Sequence, residues 1–256
     1  MEVKNIIVYF PWGAGGNFVQ NVLSLAPGFQ LLSETGEGVD DKKSFLLDYY
    51  SKDITPETWL RREWSTRIFF SNMYCENDVP TYWNPDFSLV YTVHGEIRNM
   101  ELLQTDRYLM HWDRYRISSG EVADISSPCS THDFTHVFMI PKDVALISNV
   151  YISKNPTLNQ FSDIEDLQAR YADAHVVNNT QTSNLTDLRQ YLLENGKQVY
   201  DLIPDLLLTD DGYTVILTLI KQLQLDIDGE LVKQLHALWL SSTRECFKKI
   251  HNRELN

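Results

Sequence analysis

The stretch Asn5 to Leu25, NIIVYFPWGAGGNFVQNVLSL, constrains this chain more than any other. Ile6, Ile7, Val8, Tyr9 and Phe10 form an apolar, β-branched run with no polar alternation. Such a run reads as a strand buried on both faces of a parallel sheet. Pro11 has no N–H for a ladder and ends the strand. Gly13, Gly15 and Gly16 follow, and Phe18, Val19, Val22 and Leu23 then recur at helical spacing. Strand, glycine turn and helix is the layout of an anion-binding loop. The glycines let backbone N–H groups turn inward, and the helix N-terminus adds partial positive charge. The loop is not a Walker A motif, for it has no lysine and Asn17 stands near where one would be; nor is it Gly-x-Gly-x-x-Gly. The same glycines equally suit a tight turn made for close packing, and the loop alone leaves both readings open.

The 256 residues fit one large domain or two small ones, and a hydrophobic share of 43% with 12% aromatics is enough for a sizeable core. No apolar run approaches the ~20 residues of a membrane span, and the N-terminus lacks the basic region and cleavage site of a secretory signal. Cys75, Cys129 and Cys246 are few and widely spaced, so a reduced, cytoplasmic protein is expected. Asn178-Asn179-Thr180 and Asn184-Leu185-Thr186 are then chance matches to a glycosylation triplet. A net charge of −13 argues against a nucleic-acid partner, whose backbone is bound by clustered Lys and Arg. The same charge means that any anion site needs local positive potential against an unfavourable global field.

Further strands are expected at Phe29 to Ser33, Phe87 to Val93, Thr135 to Ile140, Ala174 to Asn178 and Asp205 to Thr209. Helices are expected at Ser44 to Tyr50, Glu57 to Cys75, Arg98 to Met110 and Val144 to about Ser153. Asp143 is a cap for the last of these. Ser162-Asp163-Ile164-Glu165 reads as a capping box before a helix through Tyr171. Leu185 to Leu202 reads as mostly helical, weakened at Asn195-Gly196. Helices at Tyr213 to Leu225 and Glu230 to Ile250 complete the chain, the last capped by the turn Asp226-Ile227-Asp228-Gly229. That turn resembles the start of a calcium loop but lacks the later ligands. Separated buried strands with helices between them make a single α/β domain over residues 1–256.

His94 follows directly on the second strong strand. A side chain just past the carboxyl end of a parallel strand faces the ligand crevice, and imidazole titrates near neutrality, so His94 is the candidate general base. A turn histidine without a role is the competing reading. Arg61, Arg62 and Arg67 form the densest basic cluster of the first half, either a solvated helix face or a source of charge for the glycine loop. Cys129, His132 and His136 have a metal-like spacing, but no fourth ligand is evident and a strand follows, so no metal is expected.

Three separated segments together resemble the P-loop sulfotransferases, which use 3′-phosphoadenosine 5′-phosphosulfate (PAPS). The family's first signature is a strand followed by Pro-Lys-Ser-Gly-Thr-[Thr/Ser]-[Trp/Leu]. Here Pro11, Trp12, Gly13, Ala14, Gly15, Gly16 and Asn17 look similar. Thr92-Val93-His94 resembles the Lys-Thr-His strand end that carries the family's base. Met139-Ile140-Pro141-Lys142-Asp143, with Ser148 and Tyr151 after it, resembles the Arg-x-Pro-x-Asp signature and the following serine that bind the 3′-phosphate. The C-terminal strand, acidic turn and two helices also look similar. The resemblance implies a three-layer α/β/α fold with a mostly parallel sheet, P-loop NTPase-like in type. It implies PAPS as donor, the 5′ end over residues 11–17 and the 3′-phosphate near Lys142 and Ser148. His94 is then the base, and a small-molecule or glycan hydroxyl the acceptor.

Trp12 replaces the family's loop lysine, and Met139 replaces its arginine. Ser148 falls one residue late, at the place after Ile147, and the C-terminal Arg-Lys-Gly-type segment is absent. Each lost charged hydrogen bond costs roughly 1.5–3 kcal/mol. The alternative is therefore a non-catalytic binding or structural protein that keeps the fold and docks a protein partner or a second copy, with Trp12 filling the cleft. Such sequences also resemble proteins of marine bacteria and their viruses, where a virion role fits. A nucleotide kinase shares the fold type but ranks lowest, since the Walker lysine and the magnesium-binding serine are missing.

Overall fold

The computed structural model describes residues 5–31, 38–52, 90–95, 134–155 and 163–255. Its centre is β1 (Asn5–Phe10), flanked by β2 (Val90–His94) on one side and β3 (Phe134–Met139) on the other, with β4 (Val199–Leu202) beyond β3. All three pairings are parallel. Ile6 to Phe10 are each at most 3% exposed, as an unalternating apolar run requires. The fold is α/β.

Among the described strands the order is β2-β1-β3-β4. The chain leaves β1 for one neighbour and then crosses to the other, so the order reverses at β1 and β3. Open α/β sheets bind ligands outside the carboxyl ends of the strands at such a reversal. Here that end holds Phe10 of β1, His94 of β2 and Met139 of β3.

Six helices surround the described sheet. α1 (Gly16–Leu23) follows β1, and α2 (Lys42–Ser51) follows it. Phe18, Val19, Val22 and Leu23 of α1 are each at most 1% exposed. Full burial of such a side chain contributes roughly 1.5–3 kcal/mol. The Lys42 ammonium joins the two helices by donating to the carbonyls of Ser24, Ala26 and Phe29 at 2.8, 2.9 and 2.9 Å. α3 (Val144–Lys154) begins at Asp143, whose carboxylate accepts from the Leu146 N–H, the expected cap. α4 (Ile164–Glu194) is 31 residues long. α5 (Tyr213–Gln222) and α6 (Gly229–His251) end the chain; Asp228 caps α6, so the acidic turn serves a helix start as expected.

The second half departs from the expectations, each time for a local reason. Ala174 to Asn178 lies inside α4 rather than in a strand. The buried stripe of α4 runs Ala174, Asn178, Gln181, Leu185, Leu188, Leu192. Two amides in that stripe interrupt its apolar period and hide the helix. Its cap is Asp163, one residue later than the capping box placed it, with the side chain accepting from Asp166 N–H. The helix stops at Asn195, and Gly196 takes φ +70°. Gly196 N–H donates to Leu193 and Lys197 N–H to Leu192, a Schellman closure that frees the next residues for β4. The fourth strand is thus Val199–Leu202, not Asp205 to Thr209. The latter span is largely a 3-10 turn, Pro204–Leu208, opened by proline at its first position. Phe29 makes an isolated bridge rather than a strand, as far as the described residues run. The expected helices at Glu57 to Cys75 and Arg98 to Met110, and Arg61, Arg62, Arg67, Cys129 and His132, lie outside the described residues.

Candidate functional site

The β1–α1 loop lies at the reversal point, and its conformation follows from its glycines. Gly13 has φ +89° and Gly15 φ +80°, a region that side chains enter at a cost of about 1–3 kcal/mol. Ala14 N–H donates to the Pro11 carbonyl at 3.2 Å, closing a tight turn. Gly15 is the N-cap of α1; it offers no side-chain acceptor, and the first turn of α1 holds no acidic residue. α2, α3, α4 and α6 each begin instead at an aspartate that accepts a backbone N–H. The start of α1 therefore keeps positive potential that those helices neutralise.

The glycines also meet the close-packing reading. A Cβ on Gly13 would lie 2.5 Å from the Ile147 carbonyl oxygen and 2.9 Å from the Tyr151 backbone nitrogen, so α3 rests directly on the loop. A Cβ on Gly15 would lie 2.9 Å from the Trp239 ring, and one on Gly16 2.1 Å from the Phe10 ring. Both readings hold at once: the loop is packed from outside and open in charge at the helix start.

His94 stands in register with Phe10, on the strand beside the loop. Its Nδ1 lies 3.3 Å from the Phe10 carbonyl oxygen, and its ring meets Phe10 edge-on at 4.5 Å and Trp12 edge-on at 6.2 Å. It is 9% exposed. If Nδ1 carries the proton toward Phe10, Nε2 is the basic nitrogen. Trp12 stacks on Tyr151 at 5.0 Å.

α4 crosses this end of the sheet and holds the loop with amides. Asn178 Nδ2 donates to the Trp12 carbonyl at 3.0 Å and to Ser148 Oγ at 3.1 Å. Gln181 Oε1 accepts from Trp12 N–H at 3.0 Å, and Asn184 Nδ2 donates to the Gly95 carbonyl at 2.8 Å. Asn178 and Gln181 are at most 1% exposed, and among the described residues Asn178 Oδ1 and Gln181 Nε2 have no hydrogen-bond partner. Two orphaned buried groups beside the loop are the kind that a ligand or an ordered water satisfies. Residues 178, 181 and 184 recur every three positions, a signal that the expected strand at Ala174 to Asn178 concealed.

Ser148 and Lys142 take different places from those the sequence implied. Ser148 is fully buried, donating to the Val144 carbonyl at 2.8 Å while accepting from Asn178, so its hydroxyl is used within the fold. Lys142 is exposed at the end of β3. Its backbone N–H donates to Asp205 Oδ2 at 2.9 Å, and Asp143 N–H donates to Asp205 Oδ1 at 2.7 Å. The Asp205 carboxylate thus sits where an anion would meet the start of α3.

Lys154, in the last turn of α3, brings a cation that none of the sequence motifs includes. Its ammonium lies 4.6 Å from the centre of the Trp239 ring, the ring whose edge covers Gly15. Burial pushes its pKa down to about 8, with the Cys246 thiol opposing. His136, part of the metal-like spacing, points into the fold: it is 3% exposed, and Nδ1 shares a 2.8 Å hydrogen bond with the Tyr9 hydroxyl. Among the described residues no cluster of three metal-ligating side chains occurs, and no helix is long and apolar enough to cross a membrane. Comparison with protein-family models, with curated proteins and with solved structures gave no match, so the chain's α/β fold and the geometry of this crevice carry the functional argument.

Proposed function

We propose that the chain is a sulfotransferase-like protein of P-loop type, with sheet and helices in three layers, that binds the anionic 5′ end of a nucleotide donor on residues 11–17. The observation that supports this best is the meeting of two features at the sheet's reversal point. One is the uncapped α1 start behind two positive-φ glycines; the other is His94, set beside it by strand register. The donor fits at this end: backbone N–H groups and the α1 dipole suit a phosphosulfate, and Gln181 Nε2 is a donor with no partner among the described residues. A bound nucleotide sulfate supplies the sulfuryl group. His94 takes the proton from the acceptor hydroxyl as its oxygen bonds to sulfur, and the sulfur–oxygen bond to the nucleotide phosphate breaks. The protein's part is orientation and charge stabilisation, with Lys154 the cation beside Gly15's aromatic cover.

The alternative, a non-catalytic binding or structural protein of the same fold, draws on a separate observation. The Ser148 hydroxyl is consumed internally, and the Trp12–Tyr151 stack lies on the loop. Thermal unfolding with adenosine 5′-phosphate or adenosine 3′,5′-bisphosphate separates the two. Ligand at ~100 times its dissociation constant raises stability by about 2.7 kcal/mol, a shift of about 2–4 °C for a domain of this size. A saturable shift supports the donor site, and transfer to an acceptor that is lost in His94→Ala while the shift remains supports the base. No shift with either nucleotide at millimolar concentration leaves the binding-protein reading.

A further inference from the structure

Two helix starts flank the reversal point, α1 after β1 and α3 after β3. Each is a place where backbone N–H groups suit an anionic group. They differ in what already occupies them. The α1 start has no side-chain cap and no acidic residue in its first turn. The α3 start is taken twice over: Asp143 accepts the Leu146 N–H, and Asp205 accepts the N–H groups of Lys142 and Asp143 at 2.9 and 2.7 Å.

We infer that Asp205 is a specificity-determining residue, which fills the second anion position with the protein's own carboxylate and restricts the nucleotide to one carrying phosphate or sulfate at its 5′ end alone. The inference rests on the loop reading proposed above and narrows its donor to a nucleotide with a free 3′-hydroxyl. Three observations favour a built-in block over a chance contact. Both carboxylate oxygens are engaged, one on each N–H, so the group is held in orientation. The aspartate is set there by the 3-10 turn Pro204–Leu208, which begins one residue before it. Among the described residues two carboxylates, Asp143 and Asp205, engage the N–H groups of this start, so a phosphate arriving here meets negative charge already in place. Ser148, fully buried and bonded to Val144 and Asn178, has no hydroxyl to offer it either.

The test is calorimetric titration of the full chain with adenosine 5′-phosphate and with adenosine 3′,5′-bisphosphate, for the wild type and Asp205→Asn. The asparagine keeps one acceptor oxygen and removes the charge, and circular dichroism checks that the variant is folded. The wild type is expected to bind the monophosphate at least as tightly as the bisphosphate. Asp205→Asn is expected to move the ratio of affinities toward the bisphosphate by about ten-fold. A wild-type preference for the bisphosphate overturns the inference and leaves the loop reading standing, whatever the variant does. A ratio unchanged in a folded Asp205→Asn overturns Asp205's role in the same way. If neither nucleotide binds, the loop reading fails and the inference with it.

Discussion

The Tyr9 hydroxyl and His136 Nδ1 share a 2.8 Å hydrogen bond beneath the sheet, with Tyr9 fully buried and His136 nearly so. The two residues lie on adjacent parallel strands, and the ring of Tyr9 also stacks on Phe138 at 4.3 Å. Burial, with Lys197 adding a smaller repulsion, lowers the His136 pKa from 6.5 to about 4. In the window between those values the unfolded chain binds the proton and the folded chain does not. Stability contributed by the neutral ring is therefore full above pH 6.5 and is lost as pH falls to 4. The loss is roughly 3 kcal/mol, read as a falling urea midpoint across that window. A His136→Gln variant is expected to be less stable at pH 7 and flatter below it. An equal acid slope in both proteins would assign the effect to other groups.

The loop glycines give a matched pair of substitutions. Gly13 has φ +89° and the α3 backbone 2.5 Å from where a Cβ would sit, whereas Gly28 has φ +84° and nothing within 4 Å. Both pay the conformational cost of alanine, but only Gly13 adds a backbone collision. Gly28→Ala is expected to cost about 1 kcal/mol and Gly13→Ala at least about 2–3 kcal/mol by chemical denaturation. Equal losses would mean that α3 gives way easily.

Lys154 lies half-buried over Trp239, and among the described residues no carboxylate pairs with it. Its pKa falls from 10.5 to about 8 on folding. The folded state therefore loses its proton first, and stability from this group rises as pH climbs from 8 to 10.5. Near pH 7 the charged lysine costs stability. Lys154→Met is expected to raise it by up to about 2 kcal/mol, the lost cation–π contact offsetting part of the gain. Cys246, whose thiol burial pushes its pKa up, has the opposite alkaline slope and is coupled to Lys154, so the comparison is read at pH 7, below the range in which the thiol titrates. A variant that is less stable at pH 7 would show that the ring contact dominates.

Trp12 stands where the resembled family has a lysine, and its ring stacks on Tyr151 rather than packing in the core. If an anion sits at the start of α1, Trp12→Lys adds a charged partner. Affinity for adenosine 5′-phosphate should then rise about ten-fold or more, at roughly 1.5–3 kcal/mol for such a bond. Unchanged calorimetric affinity in a folded variant would count against anion binding on the loop.

What the sequence disclosed depended on whether one side chain or many carried the signal. β1, its glycine turn and α1 were legible because an apolar run, a proline and positive-φ glycines each act locally. Asp143 and the acidic turn before α6 were legible for the same reason, since caps act within three residues. The helical span at Ala174 to Asn178 was misread because Asn178 and Gln181 are buried polar groups whose purpose lies at Trp12, more than 160 residues away. Asp205 was hidden likewise: its partners are at Lys142 and Asp143, and nothing near it in sequence shows the contact. The candidate site was thus half visible. The groups that would hold a ligand could be named, but not the groups by which the protein occupies its own positions.

The way α4 grips Trp12 has a thermodynamic consequence. With the Trp12 N–H and carbonyl both tied to amides, Ala14 closed onto Pro11, and Gly13 seated on the α3 backbone, the loop is already ordered before anything reaches it. Its conformational entropy is lost during folding rather than at an encounter. An anion arriving there would bind with little ordering penalty, and Asn178→Ala, which releases the Trp12 carbonyl, would surface as a less favourable binding entropy.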